Sequence, residues 1–192
     1  MPRQGLSKES VVQAAVDLIE EKGVSQFSMG KLAQRLKIKP ASLYNHVESI
    51  DKLMKLVGEE AIYQLVQLEN QAIAGKKKNE ALFALAEAYR SFARNHYQLY
   101  QVIMAFPKEN DLVLKQEAGE IISPFLKVLA DYGLTENQQF HWQRVLRAMM
   151  SGFAFHEQAG GFSYFPADQD ESFYIAMQCL ANGLCHTGGE KR

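Results

Sequence analysis

From Phe27 to Val47 the chain reads FSMGKLAQRLKIKPASLYNHV, and the pattern of these residues decides the fold. Ser28 has the chemistry of a helix N-cap, because its hydroxyl can accept from a backbone N–H of the first turn. Met29, Leu32, Ala33 and Leu36 then recur at the three- and four-residue spacing of one buried helix face. Pro40 suits the first turn of the next helix, where its missing N–H is no loss. In that second helix Leu43 and Val47 are one turn apart and face inward. Lys39, Ala41, Ser42, Asn45 and His46 are left outward, with Tyr44 at the edge. Two short helices joined by a tight turn make a helix-turn-helix. Its outer face carries small residues, hydroxyl and amide groups and cations, where an ordinary solvated face would carry more Glu and Lys. Small residues permit close approach to a nucleic-acid groove, and the polar groups can meet base edges and phosphates.

The charge distribution points the same way. The 192 residues carry a net charge of −1, but the average hides a split. Residues 1–57 hold nine Lys/Arg against six Asp/Glu, a surplus of +3, and the remainder is correspondingly −4. No acid lies between Glu21 and Glu48, whereas Lys22, Lys31, Arg35, Lys37, Lys39 and His46 do. A basic patch on a neutral chain is the footprint of a phosphate-binding surface, although a solvated face with chance clustering gives the same count.

Outward from this segment the chain reads as helix throughout. Val11, Ala14, Ala15, Leu18 and Ile19 form one helix face stopped by Gly23. Ser49 caps the next long helix, with Asp51 in its first turn and Leu53, Val57, Ala61, Leu65 and Leu68 along it towards Gly75. Lys76, Lys77, Lys78 and Asn79 read as a solvated connector. Leu82, Leu85, Tyr89 and Phe92 mark a further face, and Tyr97–Phe106 a short apolar helix ended by Pro107. A helix from about Asp111 to Tyr132, stopped by Gly133, contains Pro124, which predicts a kink or break near Ile122. Thr135 and Gln138 have capping-box spacing and open a helix to about Ala159. An aromatic loop over Phe162–Ala167 and a last helix over about Asp170–Cys185 complete the chain. No stretch alternates like a strand. The expected architecture is all-α, about nine helices, with an N-terminal unit over residues 1–57 and a larger helical bundle over 58–192.

With 47% apolar and 22% charged residues the composition is that of a globular protein. The longest apolar run, Ala81–Ala86, is far too short to span a membrane. The first ten residues hold no secretory apolar core. Two cysteines, Cys179 and Cys185, cannot build a disulfide framework, so a reducing cytoplasm is the expected compartment. The sequence holds no phosphate loop, dinucleotide fingerprint or nucleophile elbow, and no catalytic residue or cofactor is expected. His141, His156 and Glu157 could be combined into a metal site, but without an HxxxH or HxxE pair the reading has little behind it, and no metal is expected.

The runs Phe27–Leu36 and Ala41–Val47, with Leu43-Tyr44 followed by His46-Val47, resemble the DNA-binding domain of TetR-family transcriptional regulators over roughly residues 8–57. The resemblance implies an all-α homodimer with a DNA-binding domain over 1–57 and an effector-binding and dimerisation domain over 58–192. It implies a repressor of a palindromic operator on double-stranded DNA, released by a small molecule. By the same resemblance Ser28, Tyr44 and His46 hold phosphates, Lys39, Ala41, Ser42 and Asn45 lie at or near base edges, and Pro40 is among the DNA-binding residues. Two positions depart from the family pattern. Lys37 stands where the turn usually has Gly, and Ile50 where a phosphate-binding Lys is frequent; Lys52, two residues on, is the candidate substitute. His141-Trp142, Arg144, Arg147, Ser151-Gly152-Phe153 and Glu157–Phe162 resemble one TetR-type regulatory domain with a Gly-rich aromatic loop.

Residues 80–165 hold most of the aromatics, and Tyr89, Phe92, Tyr100, Trp142, Met149, Phe153 and His156 are the expected lining of a pocket for an apolar or aromatic effector. The alternative is a plain helical core. Phe173, Met177, Leu180 and Leu184 form a wide stripe on the last helix, and this helix and the Thr135–Ala159 helix are expected to pair with their copies in a four-helix dimer interface. A second functional reading is a TetR-like DNA-bound scaffold whose helical domain docks a protein partner.

Overall fold

The computed structural model describes residues 6–105 and 112–189, and of residues 112–118 the backbone alone. Among the described residues there are nine α-helices and no strand. They are α1 (Lys8–Lys22), α2 (Met29–Leu36), α3 (Pro40–Leu43), α4 (Ile50–Ile73), α5 (Lys78–Asn95), α6 (Tyr97–Ala105), α7 (Leu112–Ala130), α8 (Glu136–Gln158) and α9 (Gln169–Gly189). Pro107 as a helix stop and Asp111 as a helix start lie outside the described residues.

The chain divides into two compact units. The first comprises Met1–Gln64 with His96–Glu109, and the second Leu65–Asn95 with Asn110–Arg192. A boundary at residue 57 would fall inside α4. The short apolar helix α6, grouped by chain order with the larger bundle, instead packs on α1 in the first unit.

In the first unit, Ser7 and Ser10 close a reciprocal capping box on α1. Val11, Ala14, Ala15, Leu18 and Ile19 are buried, the face their spacing predicts. Gly23 ends α1 at φ 82°, and a Cβ there would lie 3.0 Å from Gln98 Oε1 of α6. His96 Nδ1 stands 2.8 Å from Glu20 Oε1, a second tie between α6 and α1. Leu53, Val57 and Ala61 of α4 are fully buried.

In the second unit α5 packs against α7, α8 and α9. The side chains of Ala81, Leu82, Leu85, Ala86, Tyr89, Phe92 and Ala93 on α5 are buried. Helix α7 runs unbroken through Pro124, so the break expected near Ile122 does not occur. Pro124 is itself buried, and the next residue, Phe125, meets Tyr89 edge-on at 6.4 Å. Thr135 and Gln138 form the capping box of α8. The indole of Trp142 on α8 lies so close to Gly183 of α9 that a Cβ there would fall 2.8 Å from Cη2.

One correction concerns α9. Phe173, Met177 and Leu184, expected at a dimer interface, are buried within the chain itself, and Leu180 is half-buried. Helices α5 and α8 already cover the stripe, so it is core. The large apolar residues that α9 leaves exposed are Tyr174 and Ile175.

Candidate nucleic-acid interface

Ser28 caps α2, its Oγ accepting from Lys31 N at 3.3 Å. Lys37 ends α2 in the left-handed region, φ 56° and ψ 40°, and its backbone N–H returns to Ala33 and Gln34 carbonyls. This is the strained turn expected where the family pattern usually has Gly. Lys39 is the N-cap of α3 and Pro40 occupies its first turn.

Helix α3 is shorter than the sequence pattern suggests. Its α-helical part ends at Leu43, and Tyr44, Asn45 and His46 follow as a tightened turn. There Asn45 N donates to Ser42 O and His46 N to Leu43 O, while Val47 N still reaches Leu43 O at 3.1 Å. That last bond keeps the one-turn spacing of Leu43 and Val47, which are 0% and 4% exposed. The opposite side is thereby presented outward: Lys39, Pro40, Ala41, Tyr44 and Asn45 are exposed, and Ser42 and His46 half-buried. Tyr44 is 54% exposed, an unusual position for a large aromatic in a small unit. Lys52 is exposed on the first turn of α4, its backbone N–H held by Ser49 Oγ at 3.1 Å. Ile50, beside it, is 41% exposed.

The basic patch is not all available to a ligand. Arg35 pairs with Glu21 at 2.8 Å and Asp17 at 3.7 Å on α1, so its charge serves helix packing. Lys31 Nζ donates to Gln26 O.

The residues expected to line an effector pocket are distributed differently. Tyr100 belongs to the first unit and the other six to the second. Tyr89 and Phe92 are buried, Trp142, Met149 and Phe153 half-buried, and His156 exposed. Phe153 packs on Phe162 and Phe173, with ring centroids 4.8 and 5.0 Å away. The Arg90 guanidinium lies over Phe153 and Phe173, 5.1 and 4.5 Å from their centroids. His156 rests against Gly161 and the Phe162 ring. Phe153 is thus a packing residue at the foot of the aromatic loop. Beside that loop is a cleft of about 300 Å³ lined by Gly161, Phe162, Tyr164, Phe165, Ala167, Gln169 and Ser172, none of them in the expected set.

Three groups in this unit were not anticipated. Arg90, 2% exposed on α5, donates from Nε and Nη2 to the Glu157 carboxylate at 3.2 and 2.7 Å. Arg94 bonds Glu157 and Asp170 at 2.6 and 2.7 Å. Burial raises the Glu157 pKa, but the hydrogen bonds from Arg90 and Arg94 outweigh it and hold the carboxyl below its usual range. Glu157 is therefore occupied in fastening α8 to α5. The third is Glu69 on α4, 0% exposed. Its signal lay in the spacing: Leu53, Val57, Ala61 and Leu65 advance four at a time, and the next step is Glu69.

No helix among the described residues is long and apolar enough to cross a membrane. Residues 11–57 match the family of bacterial regulatory proteins of the tetR type, and residues 82–180 match a tetracyclin repressor-like C-terminal domain. An uncharacterised HTH-type transcriptional regulator of Mycobacterium tuberculosis is 31% identical over 180 residues, covering 93% of this chain and 82% of that protein. Among solved structures, ActR of Streptomyces coelicolor in complex with actinorhodin superposes with a TM-score of 0.72 at 20% identity, over 96% of this chain and 99% of that one. BioQ, known from Mycobacterium smegmatis, has a structure with its double-stranded DNA operator that superposes with a TM-score of 0.67 at 21% identity, over 94% and 98%. Sequence matches over both parts of the chain and a shared fold agree: the chain belongs to the TetR family and is a DNA-binding transcriptional regulator.

Proposed function

We propose that this regulator is a homodimeric repressor that reads a palindromic operator and is released by a small, largely apolar or aromatic effector held in the second unit. The observation that carries the DNA-reading part is the outward face of α3 and its following turn. Lys39, Pro40, Ala41, Tyr44 and Asn45 are exposed there while Leu43 and Val47 fix the opposite side in the core. In this reading Tyr44, Ser28, His46 and Lys52 hold phosphates, Lys39, Ala41, Ser42 and Asn45 approach base edges, and Pro40 belongs to the same DNA-facing surface. Two copies convert one weak half-site into a palindrome reader. The exposed apolar residues Phe140 and Val145 of α8 and Tyr174 and Ile175 of α9 are the material for the pairing face. That ActR is seen with actinorhodin, and BioQ with its operator, supports a ligand and a DNA partner on this fold. Effector and DNA affinities are then linked reciprocally.

Selection of binding sequences from random duplex DNA near physiological salt tests the reading. An enriched inverted repeat is expected; a single unpaired half-site, or no enrichment, contradicts it. A second reading, a DNA-bound scaffold, is favoured by the exposed Phe155, Tyr164 and Phe165, at 63%, 82% and 78%. It predicts that no small molecule changes operator affinity.

A further inference from the structure

The second unit contains buried hydrogen-bond acceptors that no donor reaches. Both carboxylate oxygens of Glu69 and Oε1 of Gln143 are inaccessible and accept no hydrogen bond from any described residue. Glu69 is 0% exposed and Gln143 6%. Gln143 shares the buried face of α8 with Leu146, Met150 and Ala154. It stands one helical turn from Arg147, whose positive charge acts on Glu69 without hydrogen-bonding it. Arg147 thus links Glu69 of α4 to the stretch of α8 that carries Gln143, apart from the buried Arg90–Glu157 pair of the same unit. Burial pushes the Glu69 pKa up to about 8, against the opposing pull of Arg147. Buried acceptors without donors are rare, and each calls for a partner from elsewhere.

We propose that Glu69, with Gln143 beside it, is the polar anchor of the effector site and selects a ligand with an apolar body and a protonated amine. The proposal rests on the effector reading above and specifies its ligand class. An ammonium brings donors and no acceptor, the complement of acceptor oxygens that lack donors; a hydroxyl brings one donor and further lone pairs, and a carboxylate brings only acceptors. The charge also balances. In the free protein at pH 7 the Glu69 carboxyl is mostly protonated. An arriving ammonium pairs with the carboxylate, and the Glu69 proton leaves to solvent.

The test is calorimetry on the full chain without DNA, using n-octylamine, n-octanol and n-octanoate below their aggregation concentrations. Each is titrated at pH 7 in two buffers of different ionisation enthalpy. The amine is expected to bind about tenfold or more tighter than the alcohol, as a charge-assisted hydrogen bond implies, with release of close to one proton. Glu69→Gln, nearly isosteric, should bring the two affinities within about threefold and abolish proton release. Gln143→Leu should weaken the amine but keep the proton release. Thermal unfolding of each variant reports whether it is folded. Equal affinity for amine and alcohol, preference for octanoate through Arg147, an unchanged Glu69→Gln, or no binding of any probe overturns the assignment. Displacement of the chain from its operator by a neutral or anionic molecule would leave the effector reading standing while removing Glu69 from it.

Discussion

Lys37 holds a backbone conformation that a side chain disfavours, φ 56° and ψ 40°, at the end of α2. A left-handed residue with a Cβ is strained by roughly 1–2 kcal/mol. Glycine gives part of that back through its freer unfolded chain, so Lys37→Gly should stabilise the protein by about 1 kcal/mol in urea denaturation. The strain was legible through the family resemblance, because Lys37 stands where that pattern usually has Gly. Glu69 was legible in principle as the next four-residue step of the α4 stripe, yet Leu68, which is exposed, looked the better hydrophobe. Periodicity shows a position and composition shows a preference, and at Glu69 the two conflict. The conflict has a pH signature. The folded chain keeps a proton on Glu69 that the unfolded chain loses above its ordinary value of 4.5, up to a folded value of about 8. Stability from this group is therefore full below the lower value and falls as pH rises through the window between them. Glu69→Gln should flatten that slope in denaturation midpoints compared at pH 5 and pH 8; an unchanged slope would show that Glu69 titrates normally.

At the scale of elements, helix ends were read best and helix faces less well. Ser28, Thr135 and Gly23 act locally, through bonds to their own neighbours, so sequence alone places them. The α9 stripe was assigned to a partner subunit because its coverage depends on residues far away in the chain. Phe173 packs on Phe153, and Trp142 fills the gap over Gly183, contacts that no local pattern encodes. The length of α3 was overestimated for a related reason: Leu43 and Val47 keep helical spacing even though the backbone tightens between them. The Trp142–Gly183 contact can be tested on its own. In an open helix Gly→Ala gains about 1 kcal/mol. Here the added methyl meets the indole at 2.8 Å, and overpacking of this kind is unfavourable by about 1–3 kcal/mol. Gly183→Ala should therefore fail to stabilise the protein. It should also shift the emission of Trp142, the sole tryptophan, whereas a stabilised variant with unchanged emission would show that the contact yields freely.

For the whole molecule, a basic N-terminal part followed by a more acidic remainder was visible from charge and motif. A basic helix-turn-helix precedes an acidic helical bundle, and the family matches cover both. The membership of α6 in the first unit was not visible, since α6 follows α5 directly in the chain but packs on α1. Neither was the pairing face. With the α9 stripe spent on the core, Ile175, 55% exposed, is the better candidate for contact between copies. Ile175→Asp should shift sedimentation towards the monomer and weaken operator binding together, because half-site reading alone is weak; a variant that stays dimeric places the interface elsewhere. The central claim is that the face of α3 and its turn reads DNA, and affinity as a function of salt tests it most directly. On a selected operator, Tyr44→Ala should weaken binding to specific and scrambled duplexes alike at every salt concentration, with the slope of log K against log salt unchanged, because the uncharged phenol contacts a phosphate without releasing a counterion. Asn45→Ala should instead narrow the ratio between the two duplexes, by about 1–3 kcal/mol for a lost base contact. If both variants bind both duplexes as the parent does, at every salt concentration, that face does not touch DNA.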